Sequence, residues 1–251
     1  MRVALHDESS VAVRAGQVLL AERDLTVLGL LERDPTTHDP RIERVDDLAG
    51  YDVLVTDAHR DMDGLVEEAL EAGIGCVLFA GGPDIGERYG SEFDSIGRTL
   101  IVGANLATGI ARCLAAHETA RGGEVLGVTC AWTEPGSRLR RGEPVAFPDP
   151  VGALWAKRRR GRDKHDLVAP VEGDWAAATA AVTSVVDGGV VSRVVGVADL
   201  SAHLQALALA SAAIAIDSYA SGAHLPEASA ERYLMAALGA GLDVAAHTAA
   251  A

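Results

Sequence analysis

Over the first hundred residues the apolar positions come in short, almost unbroken runs. Stretches with helical spacing separate them. The runs are Arg2–Leu5, Thr26–Leu31, Tyr51–Thr56, Gly75–Phe79 and Leu100–Val102. Continuous apolar runs of this length, bounded by turn residues, fit strands buried on both faces. Between them Gln17–Glu22 continues a helix and Leu65–Ala72 supplies another. The alternation predicts a parallel sheet with helices on both faces. The clearest unit is Thr99–Arg121: a strand, a Gly103-Ala104-Asn105 turn, then a long helix closed by Gly122-Gly123. Gly103 permits backbone angles that a side chain would block, and Asn105 is a short polar residue suited to cap the helix start.

The pattern changes after residue 122. Glu124–Thr133 reads as an apolar strand. Thr133–Pro150 is rich in turn formers and charge, which predicts a surface hairpin or long loop. Val151–Trp155 is expected to start a helix. Leu167–Val171, Ala177–Thr183, Val190–Val197 and Leu204–Ile216 alternate strand-like and helix-like patterns, with a turn at Gly188-Gly189. Leu225-Pro226 marks a turn before an alanine-rich helix over Ala230–Val244, and the last residues are expected to fray. The fold class that follows is α/β. A Rossmann-like parallel-sheet domain is expected over 1–121. An α+β domain with an open mixed sheet over roughly 124–200 is expected within 122–251, and its C-terminal helix is able to pack back on the first domain.

Composition narrows the function classes. A net charge of −14 disfavours nucleic acid and anionic membrane as general partners. Aromatic residues are only 4%, so Val, Leu, Ile and Ala must fill the core. Cys76, Cys113 and Cys130 form no CxxC pair and lie in apolar runs, as buried thiols in a reducing compartment do. With no signal pattern and no membrane-length apolar span, a soluble cytoplasmic protein is expected. There is no HExxH, no His/Cys cluster with metal spacing and no G-x-S-x-G elbow, so neither a metal site nor a hydrolase triad is expected.

On a parallel sheet, ligands bind at the C-terminal ends of the strands. The turns there are His6–Gly16, Glu32-Arg33, Thr56-Asp57-Ala58, Ala80-Gly81-Gly82 and Gly103-Ala104-Asn105. A carboxylate such as Glu32, at the end of the second strand, is placed to accept hydrogen bonds from an adenosine ribose. Arg33 beside it suits a 2′-phosphate. The first turn, HDESSVAVRAG, lacks the glycines of a dinucleotide fingerprint except for Gly16. Ser9 and Ser10 offer hydroxyl donors and Arg14 a positive charge, whereas Asp7 and Glu8 bring like charge towards a phosphate. His6 and His59 follow strands and are candidates for the cleft. His165 falls in the basic run Lys157–Lys164, which fits either a solvated loop or an anion-binding patch, and His203 opens the long Leu204 helix.

An ordered series of short matches resembles dihydrodipicolinate reductase, a two-domain NAD(P)H enzyme. The series is RVAL at the start, RAGQVLL for that family's Arg-Met-Gly helix start and LLERD for its cofactor-selecting turn. YDVLVTDA, VLFAGG and GANLATGIA follow in order, over residues 1–115. The resemblance implies a Rossmann domain that binds NADH or NADPH through Arg14, Gly16, Glu32, Arg33, Thr56, Asp57, Ala58, Ala80, Gly81, Gly82 and Asn105. It also implies a second domain that binds a small substrate, with Asp149–Leu154 matching the shape of that family's helix-opening turn. That gives Asn105, Arg138, Arg141, Gly152 and Ala153 as substrate-side residues, and a homo-oligomer as the expected assembly. The family's histidine pair is absent, with Ala131-Trp132 near its place, and so is its lysine. Arginine holds a carboxylate but is a poor proton donor. Glu134 and Asp149 fit either an acid–base pair or simple turn formers. The first loop is expected to be longer than in the family and displaced, with weak cofactor affinity. Two readings stay open: an NAD(P)H-dependent oxidoreductase acting on a small anionic substrate other than dihydrodipicolinate, or a non-catalytic relative kept as a binding or assembly module.

Overall fold

The computed structural model describes residues 1–6, 9–31, 33–35, 38–159 and 166–250, and for 247–250 the backbone alone. Expectations that rest on Asp7, Glu8, Glu32, His165 and most of the basic run lie outside the described residues.

The first sheet contains β1 (Arg2–His6), β2 (Val27–Leu31), β3 (Ile42–Val45), β4 (Val53–Thr56), β5 (Gly75–Leu78) and β6 (Thr99–Val102). They lie in the order β3-β2-β1-β4-β5-β6, every pair parallel. β4, β5 and β6 are buried at every position, which is why they read as unbroken apolar runs. Alternate side chains feed two cores. Val3, Leu5, Val55 and Ile101 lie in the core that contains α1 (Ser10–Ala21), whereas Ala4, Leu54, Leu78 and Leu100 lie in the core that contains α2 (Met62–Ala72) and α3 (Pro83–Ser95). After β6 a π-helical turn over Leu106–Ala111 leads into α4 (Arg112–Ala120).

The second sheet is mixed. It contains β7 (Glu124–Pro135), β8 (Glu143–Ala146), β9 (Ala153–Arg158), β10 (Asp166–Val171), β11 (Trp175–Val186) and β12 (Gly189–Leu200). β7 and β10 are parallel and the other pairs antiparallel. β11 and β12 are joined by Asp187-Gly188, both left-handed at φ 52 and 80, the two-residue turn whose twist matches a hairpin. The chain then returns through α5 (Ser201–Ile214), β13 (Gly222–His224), α6 (Ala230–Gly239) and β14 (Ala245–Ala250). β13, from the stretch assigned to the second domain on sequence, pairs in parallel with β6 and extends the first sheet. α5 is buried from Ala206 to Ala213, and its small side chains let it lie between α1 and the β11–β12 face. One apolar cluster therefore runs from β1 and α1 through α5 to Trp132, Ala178 and Val197.

Three local expectations are corrected. Val151–Trp155 does not start a helix. Leu154 and Ala156 are buried while Ala153, Trp155 and Lys157 are exposed, a period of two that β8 and β10 extend into a ladder. The turn-rich stretch before it contributes the strand β8, which pairs with β9 as one arm of a hairpin. The C-terminal residues do not fray, because β14 pairs with β12 over six positions. The first turn does not extend to Gly16: β1 ends at His6 and α1 begins at Ser10, so Arg14 and Gly16 belong to the helix.

Candidate active-site cleft

The strand order reverses between β1 and β4, which opens a crevice at their C-terminal ends. At the β1 end, His6 Nδ1 lies 3.2 Å from Thr56 Oγ1, and Thr56 Oγ1 also accepts the Ala58 backbone N–H at 3.0 Å. Thr56, Asp57 and Ala58 are all buried. The β5 and β6 turns are tied together. Gly103 N–H donates to Ala80 O at 3.3 Å, Ala104 N–H to Leu78 O at 2.9 Å, and the Asn105 amide to Phe79 O at 2.9 Å. Gly81 (φ +91) and Gly103 (φ +77) adopt left-handed angles. A Cβ on Gly81 would lie 2.9 Å from Val102 and one on Gly103 would lie 2.5 Å from the Thr108 hydroxyl, so only glycine fits either turn. Gly82 then caps α3, with Pro83 at its first position.

Two helices start at this crevice. Asn105 Oδ1 accepts from Ala107 and Thr108 N–H at 2.9 and 3.1 Å, and Gln205 Oε1 from Leu106 N–H at 3.1 Å. At α1, Ser9 Oγ accepts from Val11 N–H at 3.0 Å. The next free amide, Ala12 N–H, donates to Asp57 Oδ2 at 3.1 Å, and the Ser9 hydroxyl donates to the same oxygen. One end of the second sheet lies at the start of α5. Pro135 pairs with Val171, Trp175 with Leu200, and Ser201 N–H donates to Asp174 O at 2.6 Å. This end is joined to α1 by Arg14 Nε, which donates to His203 Nδ1 at 3.3 Å. His203 Nε2 in turn faces Asp199 at 3.7 Å.

A cavity of about 810 Å³ opens beside the β1 and β2 ends, lined by His6, Leu31, Asp46, Arg60, Asp61 and Glu68 among others. His59, after β4, packs edge-on against Phe79 with centroids 5.9 Å apart. Thiol chemistry finds no support, since burial pushes the Cys76 and Cys113 thiols well above the usual range. Among the described residues no group of His, Cys, Asp and Glu is arranged to hold a metal. None of their helices is long and apolar enough to cross a membrane.

The candidate residues fall into three groups. Thr56, Asp57, Ala58, Ala80, Gly81, Gly82 and Asn105 come together at the strand ends. Arg14 sits in the second turn of α1, bonded to Gln17 and His203, and Gly16 is buried against Leu5 and Leu28. Arg33 is exposed just past β2. On the second sheet, Arg138 and Arg141 are exposed between β7 and β8, and Gly152 (φ +69) turns the chain into β9 beside the exposed Ala153. Gln205 carries no sequence signal, because its partner amide at Leu106 lies 99 residues away. Ser9 was legible only as one of two possible hydroxyl donors.

No protein-family model matches the chain, and no curated protein matches it by sequence. Solved structures do. Saccharopine dehydrogenase (L-Glu forming) from Saccharomyces cerevisiae superposes with TM-score 0.66 at 10% identity, covering 99% of this chain and 100% of that one. A dipicolinate-bound dihydrodipicolinate reductase from Paenisporosarcina sp. TG-14 gives 0.52 at 10% identity, covering 89% and 97%. The C. glutamicum DAP dehydrogenase in complex with DAP gives 0.53 at 13% identity, covering 89% and 92%. The resemblance read from the sequence is therefore a resemblance of fold: this chain has the architecture shared by dihydrodipicolinate reductase, saccharopine dehydrogenase and DAP dehydrogenase, a Rossmann-like parallel sheet joined to a mixed one.

Proposed function

We propose that the protein is an NAD(P)H-dependent oxidoreductase acting on a small anionic molecule. One observation carries the reading: the β1, β4, β5 and β6 turns line a single crevice at the strand-order reversal, the place where a dinucleotide lies on this fold. Relatives of the same architecture bind dipicolinate, DAP and, in an engineered D-amino acid dehydrogenase, NADP+. The residues present fit the two ends of such a cofactor. The cavity beside His6 and Leu31 has room for an adenosine, and Asn105, fixed on Phe79 O, is the residue proposed to stand beside the nicotinamide and the substrate. They do not fit its middle, because a buried carboxylate already takes the α1 amide that would face the pyrophosphate. The bound dinucleotide would supply the hydride. Arg138 and Arg141 are the cations proposed to hold the substrate carboxylate. The exposed Val125, Leu126 and Val190 on the second sheet support the proposed homo-oligomer, which light scattering tests.

The test is titration with NADH and NADPH. Arg33→Ala is expected to weaken NADPH by about 1–2 kcal/mol more than NADH, the worth of one partly exposed charge-assisted hydrogen bond. Equal losses remove the role of Arg33, and no binding of either cofactor removes the oxidoreductase reading. A second reading, a non-catalytic module on the same scaffold, is favoured by the Asp57 contact with α1 and by Ala131-Trp132 standing where the family has its histidine pair.

A further inference from the structure

The amino end of α1 already holds an anion, and the anion belongs to the protein. Asp57 follows β4 and is 2% exposed. Its Oδ2 accepts the Ala12 N–H at 3.1 Å together with the Ser9 hydroxyl, and Ser9 Oγ accepts the Val11 N–H at 3.0 Å. A helix amino end presents unpaired N–H groups and about half a unit of positive charge, the combination that binds phosphate elsewhere. Here both are taken up internally, by a hydroxyl and a full carboxylate. The contrast lies on the same crevice. Asn105 and Gln205 satisfy the start of the helix after β6 with neutral amides and leave its charge uncompensated. Arg14 does not offset Asp57 from the first turn, since its guanidinium is committed to Gln17 and His203. Asp7 and Glu8 add two more acidic residues immediately before the helix in sequence.

We propose that Asp57 is a built-in competitor for phosphate: its carboxylate occupies the anion place at the start of α1, and an anionic ligand gains that place only by displacing it. The exchange conserves the hydrogen bonds of the helix start, because a phosphate oxygen accepts from Ala12 N–H and the Ser9 hydroxyl just as the carboxylate does, while the displaced carboxylate must exchange these donors for water. What it must overcome is the repulsion between two anions at hydrogen-bond range, and this falls when the Asp57 charge is removed. The choice of dinucleotide as the competing ligand rests on the reading given above. The competition for an anion does not.

The test measures binding of inorganic pyrophosphate and, separately, of NADH to the full chain by calorimetry, for the natural protein, Asp57→Asn and Asp57→Ser. Asp57→Asn keeps the shape and an oxygen acceptor for Ala12 N–H, and Asp57→Ser opens the place further. Thermal melting establishes that each variant is folded. The expected result is pyrophosphate affinity at least about tenfold higher in both variants, as removal of one adjacent like charge implies. Added salt should reduce the difference between the variants and the natural protein. Equal pyrophosphate affinity in all three proteins overturns the proposal. So does unfolding of both variants, which would make the carboxylate a fixed structural part and not an exchangeable one. A gain for pyrophosphate without any binding of NADH supports the internal competitor and removes NADH as the ligand that displaces it. Micromolar NADH binding by the natural protein, unchanged in the variants, does the reverse.

Discussion

Two strand-to-helix units face the same crevice and hold their first turns by different means. After β6 the cap is mostly local: Asn105 lies next to the turn it closes and accepts from the amides two and three residues ahead, and only the Leu106 amide takes a distant partner, the neutral Gln205. After β1 the cap is divided. Ser9 serves Val11, but the amide of Ala12 waits for Asp57, 45 residues further along the chain. The Asn105 part of the first unit lies within its own segment. The second is complete only when β4 has docked beside β1 and brought Asp57 to the helix. A local neutral cap leaves the helix end electrostatically available, whereas a distant charged one closes it.

The largest test of this contrast is Asn105→Ala. It removes two caps and the bond to Phe79 O, and it is expected to cost about 2 kcal/mol in chemical denaturation. Next comes Gly109→Ala in the π-helical turn. A Cβ there would lie 2.5 Å from the Tyr233 hydroxyl, which is held on Ala208 O, and overpacking is expected to cost about 1.5 kcal/mol. In a Tyr233→Phe background, with the hydroxyl gone, the same change should cost less, and an undiminished cost would place the strain elsewhere. Asp57→Ala is expected to cost about 1 kcal/mol, less than Asn105→Ala, because water can reach the Ala12 amide once the carboxylate leaves. A larger loss for Asp57 than for Asn105 would make the distant cap the stronger one and reverse the comparison.

Gly16→Ala on α1 should change stability by no more than about 0.5 kcal/mol. The gain in helix propensity offsets a 3.1 Å contact with the flexible end of Leu5. The finest readout is the thiol of Cys113, buried in α4 and pushed up by that burial. Its alkylation in the native protein should quicken in Asn105→Ala, which loosens its own helix, and stay unchanged in Asp57→Ala. Equal quickening in both would show that the two helix starts open together.

Much of the fold was legible because its signals are short-range. β1, β2, β4, β5 and β6 stand out as apolar runs since parallel strands are covered on both sides. β3 did not, being an edge strand with exposed Glu43 and Arg44 at its centre. α3 is mostly polar, and only Ile85, Tyr89 and Phe93, four apart, mark its buried face. The stretch from Asp149 misled because its turn chemistry matches a helix start, whereas the alternation of Leu154 and Ala156 with exposed neighbours describes the strand that forms. Of the crevice, the turns with left-handed glycines and the Asn105 cap were readable. The Gln205 bond to Leu106 and the place of Asp57 against α1 were not.

By itself the sequence determined most of the buried strands, several of the helices and the main turns. Those outcomes depend on periodicity, on glycine's freedom at positive φ and on caps within a few residues. The tertiary structure alone decided that β13 would complete the first sheet, that α5 would sit between the two sheets, and that the anion at the start of α1 would be Asp57. Each of these joins groups far apart in the chain, and the choice of partner follows from the packing that brings them within hydrogen-bond range, which no local pattern encodes.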